Sequence, residues 1–219
     1  MTVDEDRPLV AVLDYEIGNL RSAQKALERV GADARLTADH GLIRDAAAVV
    51  LPGVGAFGAC VDALHRSGLA PVATEAAQSG RPFLGICVGM QLLFDGSDES
   101  PGVPGLGVLP GVLRLLPASV KRPQMQWNVL DVRRPSTLFA SVDDPVWVYF
   151  VHSYAADPDQ DMVVATCDYG GPVAAAVERG PLWATQFHPE KSGATGLRIL
   201  EGFVGAARAA AGRSEKEPG

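Results

Sequence analysis

Residues 82–94 read PFLGICVGMQLLF, an apolar run followed by a cysteine between two glycines and then by further apolar residues. This order predicts a strand over 82–86, a sharp turn at Cys87 and a helix over 90–94. The glycines at 85 and 89 relieve the crowding that such a turn creates. The first amides of such a helix are expected to favour the thiolate and to attract negative charge from a substrate. We therefore interpret Cys87 as a candidate nucleophile, with a buried, inert cysteine as the alternative.

A second candidate segment, QFHPEKS at residues 186–192, places a histidine and a carboxylate two positions apart. In an extended segment His188 and Glu190 point to the same side, and Pro189 favours an extended His188. A carboxylate fixes the tautomer of an imidazole, whose other ring nitrogen can take a proton from a thiol. Cys87, His188 and Glu190 are therefore the predicted catalytic triad. A solvated histidine and glutamate at the end of a strand is the alternative.

A glycine-rich loop, LPGVGAFG at residues 51–58, follows an apolar run that predicts a buried strand over 47–51. Its glycines leave backbone N–H groups unshielded. Acyl transfer needs such donors, aimed at the oxygen that becomes negative in the tetrahedral intermediate. We predict an oxyanion hole at the amides of Val54 and Val88, with Gly53 beside them. A connection that only turns the chain is the alternative.

Together these three segments resemble the class I glutamine amidotransferases, whose glutaminase domains carry a G-x-C-x-G elbow and a late H-x-E. The resemblance covers residues 8–207 and implies hydrolysis of glutamine to glutamate and ammonia. It also implies an α/β fold: a single domain with a mostly parallel open sheet flanked by helices, and additional antiparallel strands in its second half. Residues 1–7 and 211–219 are expected to be flexible termini.

The pattern along the chain agrees, because strand-like and helical stretches alternate as in a parallel sheet covered by helices. A helix is predicted after Asn19, its N-cap, and before Gly31. The second half has shorter strand-like stretches. Besides 47–51 and 82–86, the predicted strands are 10–13, 34–36, 107–116, 126–132, 146–151, 162–167, 173–178 and 182–187, and the last helix is 194–210.

Four stretches resemble a narrower group in that class, the glutaminase subunits of imidazole glycerol phosphate synthase: DYEIGNLRS at 14–22, LPGVGAF at 51–57, PQMQWN at 123–128 and YFVHSY at 149–154. This resemblance implies a heterodimer with a cyclase that is a (β/α)8 barrel and receives ammonia through a channel. The cyclase then makes imidazole glycerol phosphate and an aminoimidazole carboxamide ribotide. A glutaminase that feeds another synthase, or a noncatalytic regulatory subunit with a redox-sensitive Cys87, is the alternative.

The resemblance also implies roles for individual residues. Gln91 and Gly55 are expected to contact the substrate glutamine, and a solvated helix residue is the alternative for Gln91. His152 and Tyr154 lie on a predicted strand and either line the pocket or pack against the sheet. Six residues are assigned to the partner-facing side by resemblance alone: Tyr15, Asn19, Met125, Trp127, Tyr149 and Lys191.

The chain departs from the narrower group at three positions. The group usually has glycine where Glu16 stands, and a His-Met-Gly-Trp-Asn pattern where this chain has Gln124 and Gln126 in place of the histidine and the glycine. None of the three belongs to the predicted triad. We therefore expect them to affect coupling to the partner rather than glutamine hydrolysis.

Composition fits a soluble enzyme, and no cofactor or metal is expected because the sequence has no evident P-loop, dinucleotide fingerprint or metal-binding cluster. The 219 residues are 47% hydrophobic and 21% charged, as in one compact domain. A net charge of −7 without a basic run argues against nucleic-acid binding. Three cysteines without a CxxC pair suit a reducing cytoplasm. No secretory signal or membrane-spanning run is predicted.

Overall fold

The computed structural model describes residues 7–214 of the chain. Of the termini predicted to be flexible, 1–7 and 211–219, residues 1–6 and 215–219 lie outside the described residues, and residues 211–214 form the end of the last helix. In chain order the strands and helices are β1 (Leu9–Leu13), α1 (Leu20–Arg29), β2 (Asp33–Thr37), α2 (His40–Asp45), β3 (Ala48–Gly53), α3 (Phe57–Arg66), α4 (Leu69–Gln78), β4 (Phe83–Cys87), α5 (Val88–Gln91), β5 (Gly96–Ser97), β6 (Val112–Leu115), β7 (Gln124–Val132), β8 (Val146–His152), β9 (Tyr154–Asp157), β10 (Val163–Asp168), β11 (Pro172–Arg179), β12 (Leu182–Thr185) and α6 (Gly193–Ser214).

The main sheet has nine strands in the order β2-β1-β3-β4-β12-β11-β10-β7-β8. The first five strands in this order pair in parallel with one another, and the pairs from β12 to β8 are antiparallel. This arrangement confirms the predicted α/β fold with its additional antiparallel strands. Because β4 ends at Cys87 and its neighbour β12 leads towards His188, the sheet brings both parts of the predicted triad to the carboxyl ends of adjacent strands.

Burial explains why the parallel strands are continuous apolar runs. Every residue of β3 and of β4 is buried, as expected for central parallel strands that are covered on both faces. Helix α1 instead buries one face, which carries Leu20, Ala23, Ala26 and Leu27. Asn19 precedes this helix as predicted, although its side chain accepts a hydrogen bond from the Ser22 hydroxyl (2.9 Å) and not from a backbone N–H.

Helix α5 is shorter than predicted, because it ends at Gln91 instead of continuing to residue 94. The next three residues are fully buried, but their carbonyls accept hydrogen bonds from the amides of residues 106–109. Leu93 alone accepts two of these bonds. The apolar pattern thus predicted the burial of residues 92–94 correctly. The helix ends at Gln91, where residues 106–109 pack against the chain and donate these hydrogen bonds.

The second half of the chain departs most from the predicted boundaries. Of the predicted strand at 107–116, only β6 forms, and the predicted strand at 182–187 ends at Thr185. A small sheet of β5, β6 and β9 was not predicted. The chain passes from the main sheet to this small sheet at Ser153, between β8 and β9. This crossing places His152 and Tyr154 on either side of the junction.

Helix α6 starts one residue before the predicted helix and continues four residues beyond it. Its buried residues include Leu200, Phe203 and Val204. The ring of Phe203 meets the ring of Trp183 in β12 edge to face, with 6.2 Å between centroids. Helix α6 thus packs against β12, the strand that leads to the His-Pro-Glu segment. Among residues 7–214, no helix combines the length and the apolar character needed to cross a membrane.

Candidate active site

Cys87 stands in a strained turn at the end of β4. Its backbone has φ 55° and ψ −112°, one of two positive-φ values at non-glycine residues in the described chain. Strain of this kind is maintained only where the surrounding structure enforces it, and it is concentrated at functional sites. The residue is 3% exposed and leads directly into α5. The predicted elbow is therefore present.

The two glycines that flank the cysteine are required for close approach of backbone. A Cβ at Gly89 would lie 1.8 Å from the carbonyl oxygen of Leu51, far inside contact distance. A Cβ at Gly85 would lie 3.0 Å from the Gly89 carbonyl oxygen. Helix α5 can therefore pack directly on β3, and this packing fixes the direction in which Cys87 leaves the strand.

His188 and Glu190 form the second part of the site. The Nδ1 atom of His188 lies 2.7 Å from Glu190 Oε1, with both side chains buried. The backbone N–H of His188 donates to the Tyr149 carbonyl (3.0 Å), and its carbonyl accepts from the Ser192 hydroxyl (2.6 Å). His188 is extended, as expected before a proline, with φ −101°.

The expected alternation along a strand does not produce this pair. A short 3-10 turn, Pro189–Lys191, begins immediately after His188, and the turn carries Glu190 back to the ring. Proline fits the first position of such a turn, because its fixed φ suits a helix and its missing N–H is not needed there. The pairing was predicted, but the extended geometry given for it is wrong.

The charge state of His188 follows from its surroundings. Burial by itself lowers the pKa of His188, but the interactions with Cys87 and Glu190 outweigh it and raise the pKa to about 9. Nδ1 is engaged by Glu190, and Nε2 is buried without a hydrogen-bond partner among the described residues. His188 is therefore suited to hold a proton that the Cys87 thiol gives up.

A pocket of about 390 Å³ opens over Cys87. Most of the predicted site residues line it: Cys87, His188, Val54, Val88, Gly55, Gln91, Asn19 and Lys191. His152 and Tyr154 line it as well, so both belong to the pocket. A larger cavity of about 660 Å³, beside Arg133 and Arg134, contains none of the predicted site residues. Among residues 7–214, no cluster of histidine, cysteine and acidic side chains could hold a metal ion.

Gly53 and Tyr15 pack behind the elbow. Gly53 pairs with Cys87 across the sheet, and a Cβ on it would lie 2.7 Å from both the Gly89 nitrogen and the Tyr15 hydroxyl oxygen. Tyr15 is 1% exposed and donates its hydroxyl hydrogen to the Pro52 carbonyl (2.7 Å). The assignment of Tyr15 to the partner-facing side is therefore corrected: its side chain supports the glycine-rich loop from below.

Glu99 lines the pocket and was missed by the sequence analysis. Its carboxylate accepts a hydrogen bond from the Phe57 amide (2.7 Å) at the start of α3. The hydroxyl of Ser100 accepts from the next amide, that of Gly58 (3.2 Å). These contacts join residues 42 positions apart. The local stretch SDES carries no signal for them, because it has the composition of a surface loop.

Buried amide side chains continue the site away from the elbow. Gln91 donates from Nε2 to the Tyr154 carbonyl and to Gln186 Oε1, at 3.1 Å each. His152 Nδ1 lies 2.9 Å from the same carbonyl, and its Nε2 lies 2.9 Å from the terminal amide of Gln124. Burial lowers the pKa of His152 to about 4, so its ring is neutral at pH 7. The substituted Gln124 is thus a fully buried partner of a pocket histidine.

An exposed aromatic face lies on the hairpin of β7 and β8. Met125 and Trp127 are 62% and 48% exposed, and Trp147, which the sequence analysis did not single out, is 46% exposed. In the sheet register Trp127 pairs with Tyr149, and their rings meet edge to face at 6.1 Å. Three of the residues predicted to face a partner, Met125, Trp127 and Tyr149, therefore lie on one surface together with Trp147.

The chain also resembles known proteins in its sequence. A model of the family described as glutamine amidotransferase class-I matches residues 11–206. The chain is 46% identical to a protein of Syntrophotalea carbinolica and 47% identical to one of Methanothermobacter thermautotrophicus, both named imidazole glycerol phosphate synthase subunit HisH. The aligned regions cover 89% and 92% of this chain, and 98% and 100% of those relatives. This chain belongs to the HisH family of class I glutamine amidotransferases.

Solved structures agree on the fold of this HisH-family chain. A Thermoplasma acidophilum protein, described as a subunit of GMP synthase, superposes with a TM-score of 0.71 at 19% identity, covering 96% of this chain and 98% of that one. The structure of PurLQS from Thermotoga maritima gives a TM-score of 0.68 at 21% identity, covering 91% and 98%. At this identity the likeness concerns the architecture alone.

Proposed function

We propose that this HisH-family chain is the glutaminase subunit of an imidazole glycerol phosphate synthase: it hydrolyses glutamine to glutamate and ammonia and passes the ammonia to a cyclase subunit. One observation carries the hydrolytic part. Cys87 at a strained elbow and the His188–Glu190 pair at 2.7 Å meet in one pocket. This is the set of groups that acyl transfer through a cysteine needs. The names of the relatives support the partner.

In the first half of the reaction, the Cys87 thiol gives its proton to Nε2 of His188. The thiolate attacks the carbon of the glutamine side-chain amide. The oxygen that becomes negative is held by the backbone amides of Val54 and Val88, which line the pocket on two sides of Cys87. His188 then returns the proton to the departing nitrogen, so that ammonia leaves and a glutamyl thioester remains.

In the second half, His188 accepts a proton from water, which attacks the thioester. The same two amides hold the oxygen, glutamate leaves, and the Cys87 sulfur takes back the proton. Glu190 fixes His188 with Nδ1 protonated and stabilises the imidazolium in both halves. The groups of this chain complete the cycle, so the proposed reaction uses no cofactor and no metal.

The pocket also offers groups for the rest of the glutamine molecule. Glu99 is a carboxylate on the pocket wall, and we assign it to the α-ammonium group of the substrate. Gln91, the last residue of α5, contributes a side-chain amide to the pocket. Gly55, with a φ of 97°, turns the loop backbone at the pocket wall. We retain Gln91 and Gly55 as substrate-binding residues, and Gly53 as a residue that supports the oxyanion hole.

The partner surface is the hairpin of β7 and β8 together with the rim of the pocket. Met125 and Trp127 supply exposed apolar area beside the half-buried Tyr149, and Asn19 and Lys191 line the pocket. Interfaces of this kind rely on aromatic and methionine side chains at their centre. Contact here encloses the pocket mouth, which matters because free ammonia in neutral water becomes protonated and stops being a nucleophile. We propose a cyclase with a (β/α)8 barrel as the occupant of this surface.

The proposed setting is the cytoplasm. All three cysteines are free thiols, and a reducing compartment keeps Cys87 in the form that reacts. The acidic net charge of −7 provides no attraction to nucleic acid or to anionic lipid. The proposed partners are therefore glutamine and the cyclase.

The decisive experiment measures glutamate release from glutamine by the purified chain, alone and with the cyclase plus its nucleotide ligand. Strong stimulation by partner and ligand together is expected, and Cys87→Ala is expected to abolish release while the circular dichroism spectrum stays unchanged. Fast release that is indifferent to the cyclase would indicate another synthase. Absence of release under every condition would indicate a noncatalytic subunit.

A further inference from the structure

Gln186 is a buried glutamine that the reaction described above does not use. It is 0% exposed and lies between β12 and His188. Its side-chain oxygen accepts a hydrogen bond from Gln91 Nε2 (3.1 Å), and its side-chain nitrogen lies 3.9 Å from Cys87 Sγ as a donor. One amide thus spans the distance between the substrate-binding glutamine and the nucleophile.

The orientation of this amide follows from the chain of hydrogen bonds behind it. A backbone carbonyl can only accept, so the Tyr154 carbonyl requires the NH2 group of Gln91 to face it. The second hydrogen of that NH2 group points to Gln186, which must therefore present its oxygen. The NH2 group of Gln186 is left to face the sulfur.

The orientation of the Gln186 amide matters because the Cys87 sulfur becomes negatively charged in the proposed reaction. After the Cys87 proton has moved to His188 Nε2, the sulfur keeps the electron pair and carries a negative charge. A hydrogen bond donated to the charged form of a group favours that form, and a bond to an anion is stronger than one to a neutral atom. A buried thiolate without donors would instead be disfavoured by its surroundings.

We propose that Gln186 is a positioning residue for glutamine hydrolysis: its side-chain N–H donates to Cys87 Sγ, stabilising the thiolate and aiming it at the pocket, while its oxygen holds Gln91 in place. This inference rests on the proposed function, since it concerns the same nucleophile. It gives the side chain two separable effects, one on the sulfur and one on the substrate-binding amide.

Two substitutions separate these effects. Gln186→Glu keeps an oxygen for Gln91 but has no N–H for the sulfur, and Gln186→Met has neither. Both are expected to slow the alkylation of Cys87 at neutral pH by about tenfold, because the sulfur loses a hydrogen-bond donor that favours its charged form. Both are expected to lower kcat for glutamine hydrolysis with the cyclase present, and only Gln186→Met is expected to raise KM as well.

The alkylation rate of Cys87 by iodoacetamide is measured on the full chain as a function of pH, with the modified peptide identified by mass spectrometry so that Cys60 and Cys167 are counted separately. Thr185→Val is the matched control, because it removes a buried hydrogen bond from the same segment, that to the Phe187 carbonyl (3.1 Å), without touching Cys87. It is expected to lower the melting temperature and to leave the alkylation profile unchanged.

The proposal is overturned if both Gln186 variants show the parent alkylation profile and differ from the parent only in melting temperature, as Thr185→Val does. Gln186 would then be a structural residue. Because alkylation needs no glutamine, a changed alkylation profile of Cys87 would still be seen if the parent chain failed to hydrolyse glutamine. Failure of the proposed function is therefore distinguishable from failure of this inference.

Discussion

The two halves of the main sheet differ in how strictly the backbone limits their side chains. In the parallel half every residue of β3 and β4 is buried, and Gly89 packs so closely on Leu51 that no Cβ fits. In the antiparallel half, β7 and β8 keep large side chains such as Trp127 and Trp147 exposed. The proposed nucleophile therefore lies where close backbone packing leaves no room for a larger side chain, whereas the proposed partner surface lies where large side chains are exposed.

The three departures from the family pattern differ in how they fit this contrast. Gln126 is exposed on β7, in the antiparallel and permissive half, whereas Gln124 at the start of the same strand is fully buried against His152. Glu16 falls in the loop after β1, in the parallel and restrictive half, and has a φ of 68°. The contrast therefore predicts little cost for the substitution at Gln126 and a measurable cost for that at Glu16.

The largest expected effect concerns the proposed catalytic pair of His188 and Glu190, in the restrictive half. Glu190→Gln removes the negative charge beside His188 Nδ1 at 2.7 Å and is expected to lower kcat by about 10²–10⁴-fold, because the imidazolium loses its stabilising partner. Steady-state glutamate release in the complex measures it. Glu201→Gln, on an exposed position of α6, is the control and is expected to retain parent kcat.

The same variant has a signature in the pH dependence of stability. The folded-state pKa of His188, about 9, lies above its ordinary value of about 6.5. Its protonated form therefore contributes to the free energy of unfolding in full below pH 6.5, and the contribution is lost as pH rises through 9. In urea denaturation, the difference in stability between parent and Glu190→Gln is expected to shrink over this window. A constant difference would show that His188 is not held protonated.

The second prediction tests the packing that makes the parallel half restrictive. Gly89→Ala would place a Cβ 1.8 Å from the Leu51 carbonyl oxygen and is expected to lower the free energy of unfolding by about 3 kcal/mol or more. Gly205→Ala is the matched control, since a Cβ there meets nothing within 4 Å on α6, and it is expected to stabilise the chain by up to about 1 kcal/mol. Equal stabilities in urea denaturation would contradict the contrast.

The third prediction tests the exposed hairpin as the surface for the partner. Trp127→Ala is expected to weaken binding of the cyclase by about 1–3 kcal/mol, because aromatic side chains at the centre of an interface carry much of its binding energy. Isothermal titration calorimetry measures the Kd. Leu115→Ala removes a similarly exposed apolar side chain from β6 and is expected to bind like the parent. Equal weakening by both variants would remove β7 and β8 from the proposed interface.

The grouping of Cys87 with the His188–Glu190 pair could be predicted from the sequence because its parts are local. A cysteine between two glycines and a histidine two positions before a glutamate each lie within a few residues, and the parallel strand pattern brings their ends together. The approximate positions of β1, β3 and β4 were likewise predicted from apolar runs. Apart from the partly buried Leu9, every residue of these strands is buried, so an unbroken apolar run in the sequence marks each strand.

The remaining features depend on contacts that a local pattern does not encode. Glu99 reaches the start of α3 across 42 positions, and α5 ends early where the amides of residues 106–109 donate to the carbonyls of residues 92–94. The burial of Tyr15 depends on the Pro52 carbonyl of another strand. The turn that carries Glu190 to His188 replaced an expected strand because Pro189 fits both geometries. In each case tertiary structure selected one of several conformations that the local sequence allowed.

The smallest expected effect concerns Glu16, the departure in the restrictive half. A side chain with a Cβ in the left-handed region costs about 1–2 kcal/mol, whereas glycine adopts it freely but gains entropy in the unfolded chain. Glu16→Gly is therefore expected to raise the free energy of unfolding by about 0.5–1 kcal/mol. Glu16→Ala, which keeps the Cβ and removes only the carboxylate, is expected to change it little. If alanine stabilised the chain as much as glycine, the charge of Glu16 rather than its backbone would be the source of the cost, and the loop after β1 would belong with the permissive half.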